Sequence, residues 1–284
     1  QLRELVPDLC AAFDRLLENA AATDPQCWGK NAIAKALADL GHTECEHFVR
    51  GLRHVQREPV WGRLVDTALT LRGTCALALI AVRDLPRREI LQYLTQALTD
   101  SYEAGDERER EEAAPVRRDS VRAIEQLGGE EARLILRLKA RTGDSDPGVT
   151  GQIFDSLLRI EGDAAIPFVA DFLNWPDTAV GEEAALALGA SRLPGAIRFL
   201  ETAWHAAPSQ ALRDAILRAL STSGREQAID FLLQIARSGR EREALSAIRA
   251  LGLHSVSESL RSRLAEAIAA RTEEAIAAAF AELG

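Results

Sequence analysis

Residues 180–224 read VGEEAALALGASRLPGAIRFLETAWHAAPSQALRDAILRALSTSG, and this pattern recurs along the chain at steps of 31 to 33 residues. The first position of the period is apolar in every copy but the last: Val116, Val149, Val180, Leu212 and Glu243. The position seven residues later holds a small residue in each copy: Ala123, Ser156, Ala187, Ala219 and Ala250. Self-similarity at a fixed step of roughly 20–50 residues is the signature of a repeat array.

Turn signals divide each period into two helical segments. Glycine and proline fall between the first and second segment of the successive copies: Gly128-Gly129, Gly162-Asp163, Pro194-Gly195 and Gly224. Since a pair of short helices can bury its apolar face only against the next pair, the pattern predicts stacked helix pairs with a continuous core. The small residue of each copy would let neighbouring helices approach closely.

The repeat resembles the HEAT-repeat family, most closely its short bacterial, phycobilin-lyase-type form. The resemblance rests on Pro115-Val116-Arg117, Leu127-Gly128, Leu212-Arg213 and the pairs Ala187-Leu188, Ala219-Leu220 and Ala250-Leu251. It implies an all-α fold, a right-handed α-α superhelix (solenoid) of about seven helix pairs with a capping helix at each end. Thr150 and Gly181 stand where the family has arginine, so we expect its buried arginine ladder to be incomplete. HEAT arrays serve many unrelated tasks, so the fold alone assigns no function.

We expect three regions along the chain. Residues 1–100 form an N-terminal helical sub-array with a capping helix, residues 101–114 an acidic inter-repeat loop, and residues 115–284 the regular repeats with a C-terminal cap. Apolar residues at a step near 3.6 from Pro59 to Val82 predict one long helix there. Alternating β-branched runs are rare, so we expect almost no sheet.

Composition narrows the partners. The net charge is −9, from 34 basic and 43 acidic residues, which makes nucleic acid an unfavoured partner. No stretch reaches about 18 apolar residues and the first residues lack the pattern of a secretion signal, so we expect a bacterial, cytoplasmic protein without membrane contact. The four cysteines, Cys10, Cys27, Cys45 and Cys75, are widely spaced, which favours free thiols.

Candidate sites of chemistry are sparse. The densest group of metal-capable side chains consists of His42, Glu44, Glu46, His47 and His54. With this spacing, three ligands of one segment would not point at a common metal ion. We therefore predict no metal, no cofactor and no catalytic residue. A HEAT-like enzyme of the bilin-lyase or alkylpurine DNA glycosylase type remains the alternative. Trp175 and Trp204 could serve a glycosylase, although the position of Trp204 in the repeat indicates core.

The outward positions of the second helices offer the candidate binding surface. In HEAT-like arrays these helices line the concave face, and here the middle copies carry polar side chains of mixed sign. We predict that a protein or peptide binds there, through Asp171, Asn174, Arg198, Thr202, His205, Asp230, Gln234 and Arg237. The predicted function is thus a non-enzymatic scaffold or adaptor, since mixed charge suits a protein better than a polyanion.

The architecture makes a direct spectroscopic prediction. We expect the far-ultraviolet circular dichroism spectrum to be dominated by the two helical minima, because the repeats consist of helices. A spectrum with a substantial sheet contribution would contradict the repeat assignment.

Overall fold

A computed structural model describes residues 2–99, 107–253 and 257–283. The chain divides into two compact units, residues 1–156 and residues 157–284. The three regions expected from the sequence, 1–100, 101–114 and 115–284, stay a prediction. Helices on both sides of the acidic segment, α6 and α8, pack together within the first unit.

The first unit consists of helices and one β-hairpin. Its helices are α1 (Val6–Leu17), α2 (Ala20–Thr23), α3 (Trp28–Asp39), α4 (Glu46–Leu52), α5 (Leu69–Ala78), α6 (Arg87–Leu98), α7 (Glu107–Glu112), α8 (Ala114–Leu127), α9 (Gly129–Thr142) and the start of α10 (Pro147–Glu161). Strands β1 (Arg57–Val60) and β2 (Arg63–Asp66) lie between α4 and α5. Short 3₁₀ turns precede α1 and α3 and follow α5.

The second unit continues the helical pattern from the end of α10. It contains α11 (Ile166–Ala170), which runs on as a 3₁₀ turn at Asp171–Asn174, and then α12 (Thr178–Ala190), α13 (Pro194–Ala206), α14 (Gln210–Ser223), α15 (Glu226–Ser238), α16 (Glu241–Leu251), α17 (Glu258–Ile268) and α18 (Glu274–Ala281). Some of these helices have a side-chain N-cap. Asp177 caps α12 and Ser209 caps α14, and each side chain accepts a hydrogen bond from a backbone N–H of the first turn.

Contacts between helices follow the order of the repeats. In the second unit, α12 packs on α13 and α14, and α14 packs on α15 and α16. From α12 to α15 each helix thus contacts the next helix and the next but one, as in a helical solenoid. Within the described residues, seven successive pairs run from α3/α4 to α16/α17, with α1 before them and α18 after them. The predicted all-α solenoid fold is confirmed.

The small repeat positions are buried, and in the second unit they lie where neighbouring first helices approach closely. The five are Ala123, Ser156, Ala187, Ala219 and Ala250. At Gly189 of α12 the backbone of α14 comes so near that an added Cβ would lie 2.7 Å from Cα of Ala219. One step along, the hydroxyl of Ser221 donates a hydrogen bond to the carbonyl of Ala250 at 2.7 Å. First helices therefore meet almost backbone to backbone.

The arginine ladder of the family is incomplete, as expected. Arg117 is buried and its guanidinium donates two hydrogen bonds, of 2.9 and 2.8 Å, to the carboxylate of Asp144. Lys139 approaches the same carboxylate at 2.8 Å. Gly181 cannot form such a pair, and the half-buried Arg213 reaches Glu243 only at 4.0 Å. Of these three positions, only Arg117 therefore forms the buried ion pair that a full ladder would have in each repeat.

The predicted long helix from Pro59 to Val82 is wrong in its first half. Residues 57–66 form an antiparallel hairpin, in which Val60 pairs with Arg63 across a two-residue turn. Both turn residues, Trp61 and Gly62, have positive φ, the geometry that matches the twist of a tight hairpin. The apolar period of 3.6 holds only from Leu69 onward, where α5 begins. The side chain of Trp61 stands fully exposed at the tip.

The acidic segment also differs from its prediction in the part that the structure describes. Residues 107–112 form helix α7 instead of a loop, while residues 101–106 lie outside the described residues. Two carboxylates of α7 pair with the hairpin, since Glu109 lies 2.8 Å from Arg57 and Glu112 lies 3.4 Å from Arg63. Two acidic side chains therefore anchor α7 to the two arginines of the hairpin.

In the described part of the chain, every helix falls short of the length and apolarity needed to cross a membrane. All four cysteines are free thiols, with Cys27 and Cys75 buried and Cys10 and Cys45 half-buried.

The buried cluster at Asp144 predicts a large loss of stability on substitution. Asp144→Ala leaves Arg117 and Lys139 without their shared anion, and breaking a buried pair in this way costs about 3–5 kcal/mol. We expect that loss in the free energy of unfolding measured by urea titration. Asp39→Ala, at an exposed position of α3, is the matched control and should change it by less than about 0.5 kcal/mol.

The same cluster sets a pH dependence. Burial raises the pKa of Asp144, but the hydrogen bonds from Arg117 and Lys139 outweigh it and hold the pKa below its ordinary value. The resulting stability is present above the ordinary aspartate pKa and is lost as the pH falls through the lowered one. Asp144→Ala should lack this acid-dependent loss, and an unchanged acid profile would contradict the assignment.

Candidate functional site

The eight residues predicted to bind a partner are all exposed and belong to three consecutive second helices. Asp171 and Asn174 lie in the 3₁₀ turn after α11, the next three residues lie on α13, and the last three lie on α15. These second helices contact one another in sequence, α11 with α13 and α13 with α15. We call the exposed face formed by these eight residues the second-helix ribbon.

A groove opens at the first step of the ribbon, between the end of α11 and α13. It has a volume of about 330 Å³, and its walls combine apolar groups, among them Leu173, Phe199 and Ala203, with three ribbon residues: Asn174, Arg198 and Thr202. The guanidinium carbon of Arg198 lies 5.9 Å from the centroid of the Phe199 ring. The groove therefore offers an apolar floor beside hydrogen-bonding side chains.

An aromatic cluster forms the middle of the ribbon. His205 lies edge-to-face against Trp204 and Phe231, with ring centroids 5.0 and 5.9 Å apart. Trp204 is buried, as its place in the repeat predicted, and its ring also meets Phe231 edge-on at 5.7 Å. Because two rings support His205, its exposed edge is held in place to face solvent. Trp175, the other tryptophan of interest, packs on Phe172 with centroids 4.6 Å apart.

The last step of the ribbon is charged and includes a residue that the sequence analysis missed. Arg263 of α17 pairs with Asp230 at 2.6 Å and with Glu226 at 2.7 Å, and so links α17 to α15. Gln234 and Arg237 follow along α15 and are exposed. The sequence signal for Arg263 was weak, because the last copy departs from the repeat pattern.

The first unit carries a larger groove that was not predicted. It lies between α6 and α9, has a volume of about 920 Å³, and has Leu91 and Ile135 among its apolar walls and Arg88 among its polar ones. Leu134 and Leu138 of α9 are 59% and 66% exposed. These two leucines occupy the same repeat positions as Arg198 and Thr202, which was the available sequence signal for an apolar surface there.

The metal-capable residues fall into a different grouping from the one weighed in the sequence. Glu44 and Glu46 are exposed, and the ring of His54 hydrogen-bonds the side chain of Gln56 at 3.1 Å. His42 and His47, in contrast, face Cys10 of α1, with one ligand atom of each residue within 4.8 Å of the others. A cysteine more than thirty residues away in sequence gives no local signal for this cluster.

Comparison with known proteins supports the repeat assignment. Residues 135–221 match the sequence model described as HEAT repeats, and residues 173–252 match it again with an overlap. The resemblance to HEAT repeats is therefore confirmed over this part of the chain. It covers both the groove at Arg198 and the aromatic cluster at His205.

One solved structure shows a distant likeness. The complex of CpcE and CpcF of phycocyanin lyase from Nostoc sp. PCC7120 is 19% identical, covers 92% of this chain and 93% of that chain, and has a TM-score of 0.40. A likeness at this level carries no argument about function. No curated protein matches the sequence significantly.

The exposure of the ribbon predicts that its charges can be reversed without loss of fold. The double substitution Arg198→Glu with Arg237→Glu should change the free energy of unfolding by less than about 0.5 kcal/mol per site, because exposed side chains contribute little to stability. Thermal unfolding followed by circular dichroism tests this. Unfolding of the double variant would mean that these arginines hold the repeats together.

Proposed function

We propose that this chain is a non-enzymatic HEAT-repeat scaffold that binds an extended segment of a protein partner along the second-helix ribbon. The observation that carries the proposal is the groove between α11 and α13, which places an apolar floor next to Asn174, Arg198 and Thr202. An extended peptide presents both side chains and backbone amides. The apolar floor suits the side chains of such a segment, and the polar groups suit its backbone amides.

The charge of the ribbon favours a protein over a polyanion. Arg198 on α13 and Arg237 on α15 carry positive charge. Asp171, in the turn after α11, and Asp230, on α15, carry negative charge. A nucleic acid would require a continuous basic face, and the chain as a whole has a net charge of −9. Alternating charge instead selects a partner of matching pattern and speeds its encounter.

Adjacent second helices give the ribbon its length. Packed helices lie about 8–10 Å apart, so the steps from α11 to α13 and from α13 to α15 span about 20 Å. An extended chain rises about 3.3 Å per residue, which makes the ribbon long enough for roughly six residues of a partner. The proposal requires only that this face is exposed, and it does not depend on the direction in which the array curves.

We place this function in the cytoplasm. Four free cysteines support that compartment, since reduced thiols persist where the cell keeps them reduced.

Affinity capture with matched charge variants tests the proposal. A native lysate is passed over three immobilised proteins. They are the wild type, the ribbon variant Arg198→Glu with Arg237→Glu, and the first-helix variant Arg218→Glu with Arg249→Glu. The last pair makes the same change of charge at exposed positions on the first helices α14 and α16. We expect a protein that the wild type and the first-helix variant retain and the ribbon variant loses.

Affinity for that protein should fall several-fold to about tenfold in the ribbon variant, since each exposed charge pair contributes about 0.2–1 kcal/mol. The difference should shrink at high salt, where exposed charges are screened. Equal loss in both variants would contradict the ribbon as the binding face. A pigment bound to the purified chain, or cleavage of alkylated DNA by it, would overturn the scaffold in favour of an enzyme.

A further inference from the structure

Three metal-binding side chains from three separate elements meet in the first unit. Cys10 lies on α1, His42 lies in the turn after α3, and His47 is the second residue of α4. One ligand atom from each side chain lies within 4.8 Å of the other two. Contacts between α1 and α3 and between α3 and α4 hold these three elements together.

The two histidines have buried ring nitrogens that lack partners. The side chain of His47 is only 10% exposed, and neither of its ring nitrogens hydrogen-bonds any residue that the structure describes. The same is true of Nε2 of His42. Because buried polar atoms are almost always hydrogen-bonded, this group requires an explanation. A metal ion bound between the rings would satisfy these nitrogens.

The spacing of the rings is close to that of two rings on one ion. Two imidazoles on a tetrahedral zinc have ring centroids about 5 Å apart, from a zinc–nitrogen distance of about 2.0–2.1 Å and the radius of the ring. The centroids of His42 and His47 are 6.1 Å apart, so the rings close by about an ångström when the ion binds. Phe13 and Phe48 pack against the rings at 5.7 and 5.8 Å and restrict their orientation.

Negative charge surrounds the cluster. The Oδ1 atom of Asp14 lies 3.6 Å from Nε2 of His47, and Asp14 is also held by Arg50 at 2.5 Å. Burial, and then the nearby carboxylates of Asp14, Glu44 and Glu46, raise the pKa of the Cys10 thiol. The same carboxylates attract a cation, whose binding displaces the thiol proton to solvent and leaves a thiolate on the metal.

We propose that Cys10, His42 and His47 bind a divalent zinc ion, with a water molecule in the fourth tetrahedral position beside Asp14. One thiolate and two imidazoles are a ligand set that zinc prefers over the hard, oxygen-bound cations. The ligand atoms need to close by about an ångström to reach tetrahedral distances. The ion would fasten α1, the N-terminal cap, to the start of α4.

This inference is independent of the scaffold function, and it revises the prediction of no metal made from the sequence. That prediction compared ligands within one segment, where Glu44 and Glu46 diverge. The structure replaces those carboxylates with Cys10 from another helix.

Cobalt substitution on the untagged chain of residues 1–284 tests the site. Co²⁺ bound to a thiolate in a tetrahedral site gives a sulfur-to-metal charge-transfer band in the near ultraviolet together with intense visible bands. We expect both bands to saturate at one Co²⁺ per chain and to disappear when Zn²⁺ is added. Zinc should also raise the melting temperature of the wild type, because an ion that binds only the folded chain stabilises it.

Variants separate the site from chance binding. Cys10→Ser should abolish the charge-transfer band, and His47→Gln should weaken zinc binding more than about 100-fold, beyond the loss expected for an outer-shell change. Asp14→Asn should weaken it about tenfold. Cys45→Ser and His54→Gln, which change a cysteine and a histidine outside the cluster, should bind as the wild type does. Circular dichroism of each metal-free variant shows whether it folds.

Two results would overturn the proposal. One is a wild-type chain that gives no saturable Co²⁺ spectrum and no shift of melting temperature with Zn²⁺. The other is a charge-transfer band that survives Cys10→Ser but vanishes in Cys45→Ser, which would place the thiolate ligand at Cys45. If His47→Gln does not fold, the conservative Cys10→Ser variant and its matched control still decide the question.

Discussion

Close approach between neighbouring first helices is the constraint on which the rest of the array depends. Gly189 and Ala219 meet with no room for a further methyl group, and Ser221 bonds directly to the backbone at Ala250. Close packing of this kind is sensitive to single methylene groups. Large residues next to these contacts, such as Leu188 and Leu220, are buried on the first helices, and Trp204 and Phe231 fill space on the second helices. The outer face of the second helices carries polar groups.

Arginine side chains at the turns supply the polar restraint that the incomplete ladder does not. Arg225 donates two hydrogen bonds, of 2.9 and 2.5 Å, to the carbonyl of Arg192 in the turn of the preceding pair. Arg271 donates to the carbonyl of Gly239 at 2.7 Å. Such charge-assisted bonds to backbone satisfy carbonyls that helix ends leave open. Neighbouring pairs are therefore linked at their rims as well as through their apolar contacts.

How far the sequence predicts this structure depends on whether a contact repeats. The small repeat positions and the buried Trp204 were predictable, because each copy of the repeat samples the same environment and the copies reinforce one another. The hairpin at residues 57–66 was not, since its apolar residues at Pro59 and Leu64 fit a helical period by coincidence. What decides it is the left-handed turn at Trp61-Gly62, a signal two residues long.

The candidate sites divide in the same way. All eight ribbon residues were placed on the surface correctly, because outward positions follow from the period. Their role in binding stays a prediction. The large groove between α6 and α9 was overlooked because the ribbon was chosen for polarity. The cluster at Cys10 was missed because its three residues are far apart in sequence and do not recur in the other copies. A site whose residues come from distant parts of the chain can be found only from the three-dimensional structure.

The order of contacts between helices has a further consequence, for how the chain folds. From Val116 to Glu243 equivalent positions lie 31 to 33 residues apart, so the interfaces between these repeats close loops of nearly the same length. The entropic cost of closure depends on that length and only weakly on small changes in it. No interface is therefore favoured as the starting point by topology alone. Nucleation falls to whichever pair is locally most stable, and growth proceeds outward from it.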